Sequence, residues 1–337
     1  MLGGEVKGIL QTIFDKIGLG KYDSNLIIEN LLASEKLGKN THGIILLTHI
    51  IPTLINAKNS NDNWSWNGNR LICNADNSLG YLALEKAVNE LSEKSLATKS
   101  IAFSTLCKIS HAGRLGHYTS KLANNGLIGI VYAHSNPWVA APSGEQAVLG
   151  SVAFSASIPF TNPPVIIDFT PNLATAGEVR IKSLNGELFN TNIGINSLGI
   201  PTNKPDEILS GGALLSIGDG KGFSISLLIS LLSTLIGGDA IANMQNGYGY
   251  TAIAIHPDFL GVGNYVERCQ ELIDKIIKSG ENVRTPGSKY QQLDNLLNEE
   301  LSLNDGVLDL LNKLKNINTK PEFLSFFSDY HKSLAAK

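Results

Sequence analysis

Two short segments of this chain set a histidine beside glycine: Asn40-Thr41-His42-Gly43 and Ser110-His111-Ala112-Gly113-Arg114-Leu115-Gly116. A helical pattern follows each, so each imidazole is expected on a turn at a helix start. The free N–H groups of a helix amino end disfavour an imidazolium and face a ligand. A histidine held there stays neutral near pH 7 and exchanges a proton with a bound oxygen. The chemistry suggested is acid/base work on an anionic or cofactor-bound substrate.

Other residue patterns carry weaker signals. Gly218-Asp219-Gly220-Lys221-Gly222 puts flexible backbone and one cation ahead of an apolar helical run, a place for a phosphate, although a tight turn with a solvated lysine is the usual explanation of such a pattern. Its spacing is not that of a P-loop, and no Gly-x-Gly-x-x-Gly follows an early strand, so any nucleotide is bound without a Rossmann fingerprint. Asp168 ends the apolar run Val165-Ile166-Ile167 and by itself reads as a strand-ending cap. His111, His117 and His134 with Asp168 could form a metal set, but His111 and His117 are not three or four apart, as ligands on one helical face are. His49 could face the same site as His42 but reads first as a surface or core residue, and His256 and His331 read as structural.

The elements that must position these residues follow from periodicity. Val6, Ile9, Leu10, Ile13, Phe14 and Ile17 recur at helical spacing until Gly18 and Gly20. A second helix is expected after Asp23-Ser24, as N-caps, to about Gly38, and a third from Thr41-His42-Gly43 to about Pro52. From about Ser100 the texture changes to β-rich runs, Ile101–Cys107, Leu127–Ala133, Val148–Ile158 and Val165–Phe169, with one helix at Leu115–Asn124. Helix Phe223–Ile236 and strand Tyr250–Ile255 continue this body, and the pattern is helical again from Asn264. The expected organisation is a helical domain built from both termini, residues 1–75 and 264–337, around a mixed α/β body, residues 76–263. Ser226, Ser230, Ser233 and Gly237 share one face of the Phe223–Ile236 helix; this small-residue stripe serves either intrachain packing or close approach of a second subunit.

Composition narrows the function classes. Over 337 residues, 43% hydrophobic and 17% charged, a formal net charge of -3 and no basic-aromatic surface argue against nucleic acid as a partner. Cys73, Cys107 and Cys269 contain no Cys-x-x-Cys pair and fit reduced thiols in the cytoplasm. The serine-interrupted run Phe223–Ile236 is shorter than the ~20 residues that span a bilayer, so no membrane role is expected. A small-molecule substrate is the remaining partner.

Taken together, the segments resemble the malate/L-lactate dehydrogenase family of the sulfolactate-dehydrogenase-like fold. Thr41-His42-Gly43, Ser110-His111-x-Gly-Arg-Leu-Gly116, Ser135-x-Pro137, Ala141-Pro142-x-Gly144, Leu149-Gly150, Asp168-Phe169-Thr170, Pro201-Thr202, Gly220-Lys221-Gly222, Ala254-Ile255-x-Pro257 and Arg284-x-Pro286-Gly287 occur in that family's order. The resemblance implies an α/β, mixed-sheet, non-Rossmann fold and a homodimeric oxidoreductase using NAD or NADP. Such an enzyme reduces a 2-oxo acid or a related cyclic imine. By the same matching, His111 is the proton-transferring histidine and His42 a second one that some members use as donor. Ser135, Asp168, Phe169, Thr170, Asn172, Gly220, Lys221 and Gly287 would line the cofactor, and no metal is implied.

The chain also departs from the family pattern. An arginine and a tyrosine that hold substrate in relatives correspond here to Leu46 and Ile50, Ser151-Val152-Ala153 stands for Thr-Asn-Pro, and Glu178 stands where a lysine is usual beside Gly177. These changes fit a larger, more apolar or less anionic substrate, or a catalytically retired homologue; a metal-dependent hydrolase is the third class.

Overall fold

A computed structural model describes residues 1–56, 63–74, 78–159, 164–218, 220–235, 248–293 and 295–335. Its helices are Gly3–Lys16 (α1), Lys21–Lys36 (α2), Leu47–Asn56 (α3), Gly80–Thr98 (α4), Leu115–Asn124 (α5), Ala176–Asn185 (α6), Pro205–Leu209 (α7), Lys221–Leu235 (α8), Tyr265–Ile277 (α9), Asp305–Lys315 (α10) and Lys320–Ala335 (α11). Its strands are Asn63–Asn67 (β1), Arg70–Asn74 (β2), Ile101–Ile109 (β3), Ile128–His134 (β4), Pro137–Ala140 (β5), Ala147–Gly150 (β6), Ala153–Ile158 (β7), Val165–Phe169 (β8), Gly194–Ile195 (β9), Pro201–Thr202 (β10), Ala213–Leu214 (β11) and Tyr248–Ile255 (β12).

The apolar stripes of α1 and α2 close against helices from the other end of the chain. Leu10, Phe14 and Leu31 share one core with Leu47 of α3, Leu311 of α10 and Phe323 of α11. Lys16 fastens the two ends by donating from Nζ to the carbonyls of Lys315 at 2.7 Å and Ile317 at 2.9 Å. Truncating a phenylalanine buried like Phe323 costs about 3–5 kcal/mol, so this core is a firm platform for the loop that follows α2.

Seven strands form the larger sheet in the order β1-β2-β3-β12-β4-β7-β8, antiparallel except for β2 beside β3. Side chains alternate across a strand, and β4 shows the result. Val131 and Ala133 pack towards α4 and α5, whereas Ile130 and Tyr132 pack towards Ile225 and Ile229 of α8. A smaller mixed sheet, order β10-β9-β11-β5-β6, lies beside it.

Several local expectations are corrected. Residues 63–74 are a β hairpin, turned at Gly68-Asn69 with Gly68 at φ 60°, and they belong to the large sheet although they fall within the 1–75 segment expected to be helical. The first residues of α2 precede Asp23-Ser24; Ser24 is buried within the helix and bonded to Gln11. The serine stripe of α8 faces the sheet, with Ser226, Ser230 and Ser233 all buried, while Leu227, Leu228 and Leu231 face outward. Gly237 lies outside the described residues.

Candidate active site

The His111 turn is held from several sides. Ser110 Oγ accepts from Gly80 N–H at 3.0 Å, and a side chain at Gly80 would collide with the Ser110 carbonyl, so α4 begins hard against this turn. The N–H of Ala112 donates to Tyr250 Oη at 2.9 Å, and its carbonyl accepts from Tyr118 Oη at 2.7 Å. Gly113, at φ 73°, donates its N–H to His111 Nδ1 at 3.0 Å. With Nδ1 accepting, the neutral ring carries its proton on Nε2, the nitrogen left for a ligand. A register shift in β12 between Tyr248 and Tyr250 sets Tyr248 edge-on to the ring at 5.7 Å.

His42 ends a single 3₁₀ turn, Asn40–His42, and a second 3₁₀ turn intervenes before α3 begins at Leu47. The helix expected to start at Thr41 therefore starts a turn and a half later and runs through Pro52 to Asn56. Neither histidine sits at a helix amino end, and burial supplies the neutrality attributed to the helix dipole. The loop is fixed by Glu35, a buried carboxyl of α2 whose Oε1 accepts from Ile44 N–H at 2.7 Å. A side chain at Gly43 would collide with that oxygen. Burial pushes the Glu35 carboxyl up to about 7, against the lowering effect of the Ile44 bond. Thr41 Oγ1 and His42 Nδ1 lie 2.9 Å apart, and Gly177 at the start of α6 packs on Thr41.

The two imidazoles come together with ring centroids 5.6 Å apart. Burial lowers the basicity of both. His111 falls to about 3, with the charges of His42, His49 and Arg180 adding to the effect. At His42 the burial effect is opposed by Asp168 and Glu178 and reinforced by Lys39 and Arg114. Asp168 is not an open acceptor, as its strand-end position suggests. Lys39 Nζ reaches its carbonyl at 3.0 Å and Oδ2 at 3.2 Å, and Arg114 Nη1 lies 3.9 Å from Oδ2. Arg114 in turn hydrogen-bonds Tyr290 Oη. Gly116 leaves room for this group, since a Cβ there would lie 2.8 Å from Asp168 Oδ2.

His111 also lines a small cavity of about 20 Å³, room for about one water. Leu46, Ile50 and Leu79 form its apolar wall, and His49, Tyr81 and His111 are among its polar residues. His49 stacks on His331 at 5.7 Å and is lowered to about 4 by burial, Arg180 and His331. A larger surface depression of about 270 Å³ is lined by Asn196, Ser197, Asp206, Glu207 and Ser210, a set that repels an anion and contains no histidine.

The residues matched to a cofactor fall into separate groups. Ser135 Oγ donates to the Ser151 carbonyl at 3.4 Å, Asn172 Nδ2 donates to Thr170 Oγ1 at 2.9 Å and to Ser151 Oγ at 3.4 Å, and Thr170 Oγ1 donates to the Val152 carbonyl at 2.9 Å. The Ser151-Val152-Ala153 departure thus joins Ser135, Thr170 and Asn172. Gly222, against the Pro171 carbonyl, brings the Gly220–Lys221 turn to the same place, with Gly220 at φ 94° and Lys221 exposed. Asn172 is buried, yet its Oδ1 has no partner among the described residues, an acceptor open to a donor from a bound group. Phe169 leaves the strand opposite to Asp168 and packs edge-on to Phe154 at 5.9 Å. Gly287, at φ 95°, is tucked against the edge of β8, where a Cβ would lie 2.6 Å from Ile166 N; it delivers Tyr290 to Arg114 and is apart from the Asn172 group.

Among the described residues no group of three or more His, Cys, Asp or Glu could hold a metal ion, and His117, from the metal alternative, faces Glu85 with Nε2 3.7 Å from Oε2. No described helix is long and apolar enough to cross a membrane. No motif in the sequence points to Lys39, Glu35, Tyr81 or Tyr290. Lys39 and Glu35 flank the His42 motif closely enough to be candidates by proximity; Tyr290 gives no local sign of its role.

The helical core and the mixed α/β body meet around the histidine pair. The pattern for malate/L-lactate dehydrogenase matches residues 4–312, and the chain belongs to that family of oxidoreductases. The malate dehydrogenase of Pyrococcus abyssi is 24% identical, with 92% of each chain covered. The fold is that of delta1-piperideine-2-carboxylate reductase from Pseudomonas syringae (TM-score 0.81, 23% identity, 93% of this chain and 99% of that one). It is also that of sulfolactate dehydrogenase from Methanocaldococcus jannaschii (TM-score 0.80, 19% identity, 96% and 99%). The expected fold class therefore holds.

Proposed function

We propose that this chain is an NAD(P)H-dependent oxidoreductase that interconverts a 2-oxo acid, or a related cyclic imine, with its reduced form by histidine-assisted proton transfer. The observation that carries the reading is the facing of His42 and His111 at 5.6 Å beside the Asp168 carboxylate. A bound nicotinamide supplies the hydride in reduction and accepts it in oxidation. Ser135, Thr170, Asn172 and Lys221 form the group suited to hold it, Lys221 by balancing phosphate charge.

The proton is the protein's part. Reduction of a carbonyl needs a proton at oxygen, and oxidation of the alcohol needs a base to remove it. His111 offers an Nε2–H as a hydrogen-bond donor to that oxygen, and everything charged around it opposes a second proton. His42 has carboxylates behind it and is the better carrier. The motif alone favours His111 as donor; the electrostatics favour His111 in the orienting role and His42 in the transfer.

A homodimer in a cytoplasmic setting completes this reading. Its support is the outward apolar face of α8, Leu227, Leu228 and Leu231, where the three leucines are 40–57% exposed. The test of the function is thermal unfolding with NADH or NADPH. A ligand that binds only the folded state stabilises it by about 2.7 kcal/mol at a hundredfold excess over Kd. A rise in Tm with either is expected, and no rise at millimolar concentration favours a retired homologue.

A further inference from the structure

We propose that Lys39 is a positioning residue of the histidine pair, one that ties the His42 loop to the end of β8 and draws the Asp168 carboxylate away from His42. This role presupposes the oxidoreductase reading above, which it deepens.

The tie begins in the main chain. Gly38, at φ 71°, turns the chain out of α2, and Lys39 N–H returns to the Ser34 carbonyl at 2.8 Å. The Lys39 carbonyl then accepts from His42 N–H at 2.9 Å and closes the 3₁₀ turn. One residue is thus bonded through its backbone to the helix behind it and to the histidine ahead of it. Its side chain adds a third attachment, with Nζ donating to the Asp168 carbonyl at 3.0 Å and to Oδ2 at 3.2 Å, 129 positions along the chain. The His42 loop rests on the terminal helical core, and β8 belongs to the same sheet as β3, which leads into the His111 turn. Lys39 therefore spans the two bodies on which the imidazoles stand. A misplacement of about 1 Å in such a pair can cost 10²-fold in rate.

Stability alone gives this ion pair little purpose, because the Lys39 side chain is 39% exposed and pairs so open to water add little to folding. What the pair changes is charge. Asp168, only 11% exposed, is met from two sides, by Lys39 and by Arg114 Nη1 at 3.9 Å. Two cations on one carboxylate leave a net positive charge near His42. The charged and titratable groups that bear on His42 are Asp168 from β8, Lys39 from its own loop, Arg114 from the turn before α5, Glu178 from α6, and His111 at 5.6 Å. Burial is the first cause of the low basicity of His42; Asp168 and Glu178 work against it, Lys39 and Arg114 with it. Arg114 is 2% exposed and bonded to Tyr290, a fixed part of the frame. Lys39 is the open member of the group and sets how much of the Asp168 charge reaches His42. A His42 kept neutral in this way is ready to take a proton from a hydroxyl.

The test is a proton NMR pH titration of the imidazole Cε1–H signals in the full chain without cofactor, for wild type, Lys39→Met, Lys39→Gln and Lys39→Arg, with His42→Asn to assign the His42 signal. In Lys39→Met, His42 should titrate at higher pH than in wild type. Lys39→Gln, which keeps a donor for the Asp168 carbonyl but carries no charge, should move it the same way, and Lys39→Arg should return it to the wild-type curve. All three should unfold within about 3 °C of wild type. Should Lys39→Met fail to fold, Lys39→Gln decides alone. A His42 curve in Lys39→Gln that matches wild type overturns the proposal, as does a Lys39→Arg curve that follows the uncharged variants. A larger fall in Tm with the His42 curve unmoved makes the lysine a structural strap and overturns it too. Absence of a Tm rise with NADH or NADPH strikes the oxidoreductase reading, whereas an unmoved His42 curve strikes the role of Lys39, so the two failures are told apart.

Discussion

His42 and His111 stand with their ring planes inclined by 40° and their centroids 5.6 Å apart, one from a 3₁₀ turn on the terminal helical core and the other from a turn at the end of β3. A proton on one ring opposes a proton on the other, so the pair titrates as a unit and holds a single proton at most near neutrality. Replacing either with alanine should lower turnover roughly 10²–10⁴-fold while leaving nicotinamide affinity nearly intact. His42→Asn should also raise the pKa of His111, because it removes one of the charges that oppose its protonation. Imidazole proton shifts in NMR titrations read this directly, and an unmoved His111 would contradict the coupling.

The pH profile should differ with direction. Both rings titrate below the usual 6.5, with burial as the first cause. Oxidation needs a neutral imidazole to take the hydroxyl proton, so kcat/KM for the hydroxy acid should persist below pH 6.5 and fall only at lower pH. Reduction needs the protonated ring and should strengthen as pH falls through the same range. An acid limb for oxidation at or above pH 6.5 would argue against buried, neutral histidines as the titrating groups.

Glu35 should make the protein less stable in alkali. Its folded pKa, about 7, lies above the usual 4.5, so the folded state holds the extra proton and stability is highest below pH 4.5. That stability is lost as pH rises through 7. The effect is roughly 3 kcal/mol at full extent. Glu35→Gln keeps an acceptor for Ile44 N–H and should raise stability relative to wild type above pH 7, with no gain near pH 4. Urea unfolding at pH 4, 6 and 8 checks the trend, and parallel curves for the two proteins would refute it.

Lys221→Ala should weaken NAD(P)H binding by about 1.5–3 kcal/mol if the lysine meets a phosphate. The loss should shrink at high salt, because the side chain is exposed. Fluorescence titration at two ionic strengths separates this from a general loss of folding.

Assembly should depend on leucines, not serines. Leu228, 57% exposed, can be changed to lysine without disturbing the core, and Leu228→Lys should convert a dimer to a monomer by light scattering. Ser230 is buried against the sheet side and its hydroxyl returns to the Ser226 carbonyl at 2.8 Å, so Ser230→Leu should cost about 1–3 kcal/mol of stability by overpacking and leave the mass per particle unchanged. A dimer that survives Leu228→Lys would move the interface elsewhere, for example to α9, where Val266, Leu272 and Ile277 are exposed.

Much of this arrangement is legible in the residues. Helical periodicity locates α1 and α5 closely, a short apolar run locates β8, and the structure brings the two histidine motifs together. What periodicity cannot supply is direction. The small-residue face of α8 is consistent with either side, and only the sheet beneath it, reaching Ile225 and Ile229, shows which is inward. Nor can spacing show that Asp168 is already engaged by Lys39, since the two meet only through the docking of the α2–α3 loop on β8. The hairpin at residues 63–74 is short, although Asn63-Trp64-Ser65-Trp66-Asn67 alternates, and it becomes part of the large sheet by joining β3.

The pairing of Met1 with Leu301, whose N–H donates to the Met1 carbonyl at 2.9 Å, and the shared burial of Phe14 with Phe327 have a temporal side. During synthesis α1 and α2 emerge early but have nothing to bury against until residues 301–327 have followed. The mixed sheet can form in the meantime, carrying His111 with it. His42 precedes His111 in the chain, yet the core beneath its loop is complete only once residues 301–327 are present, so the two halves of the histidine pair depend on different stretches of chain.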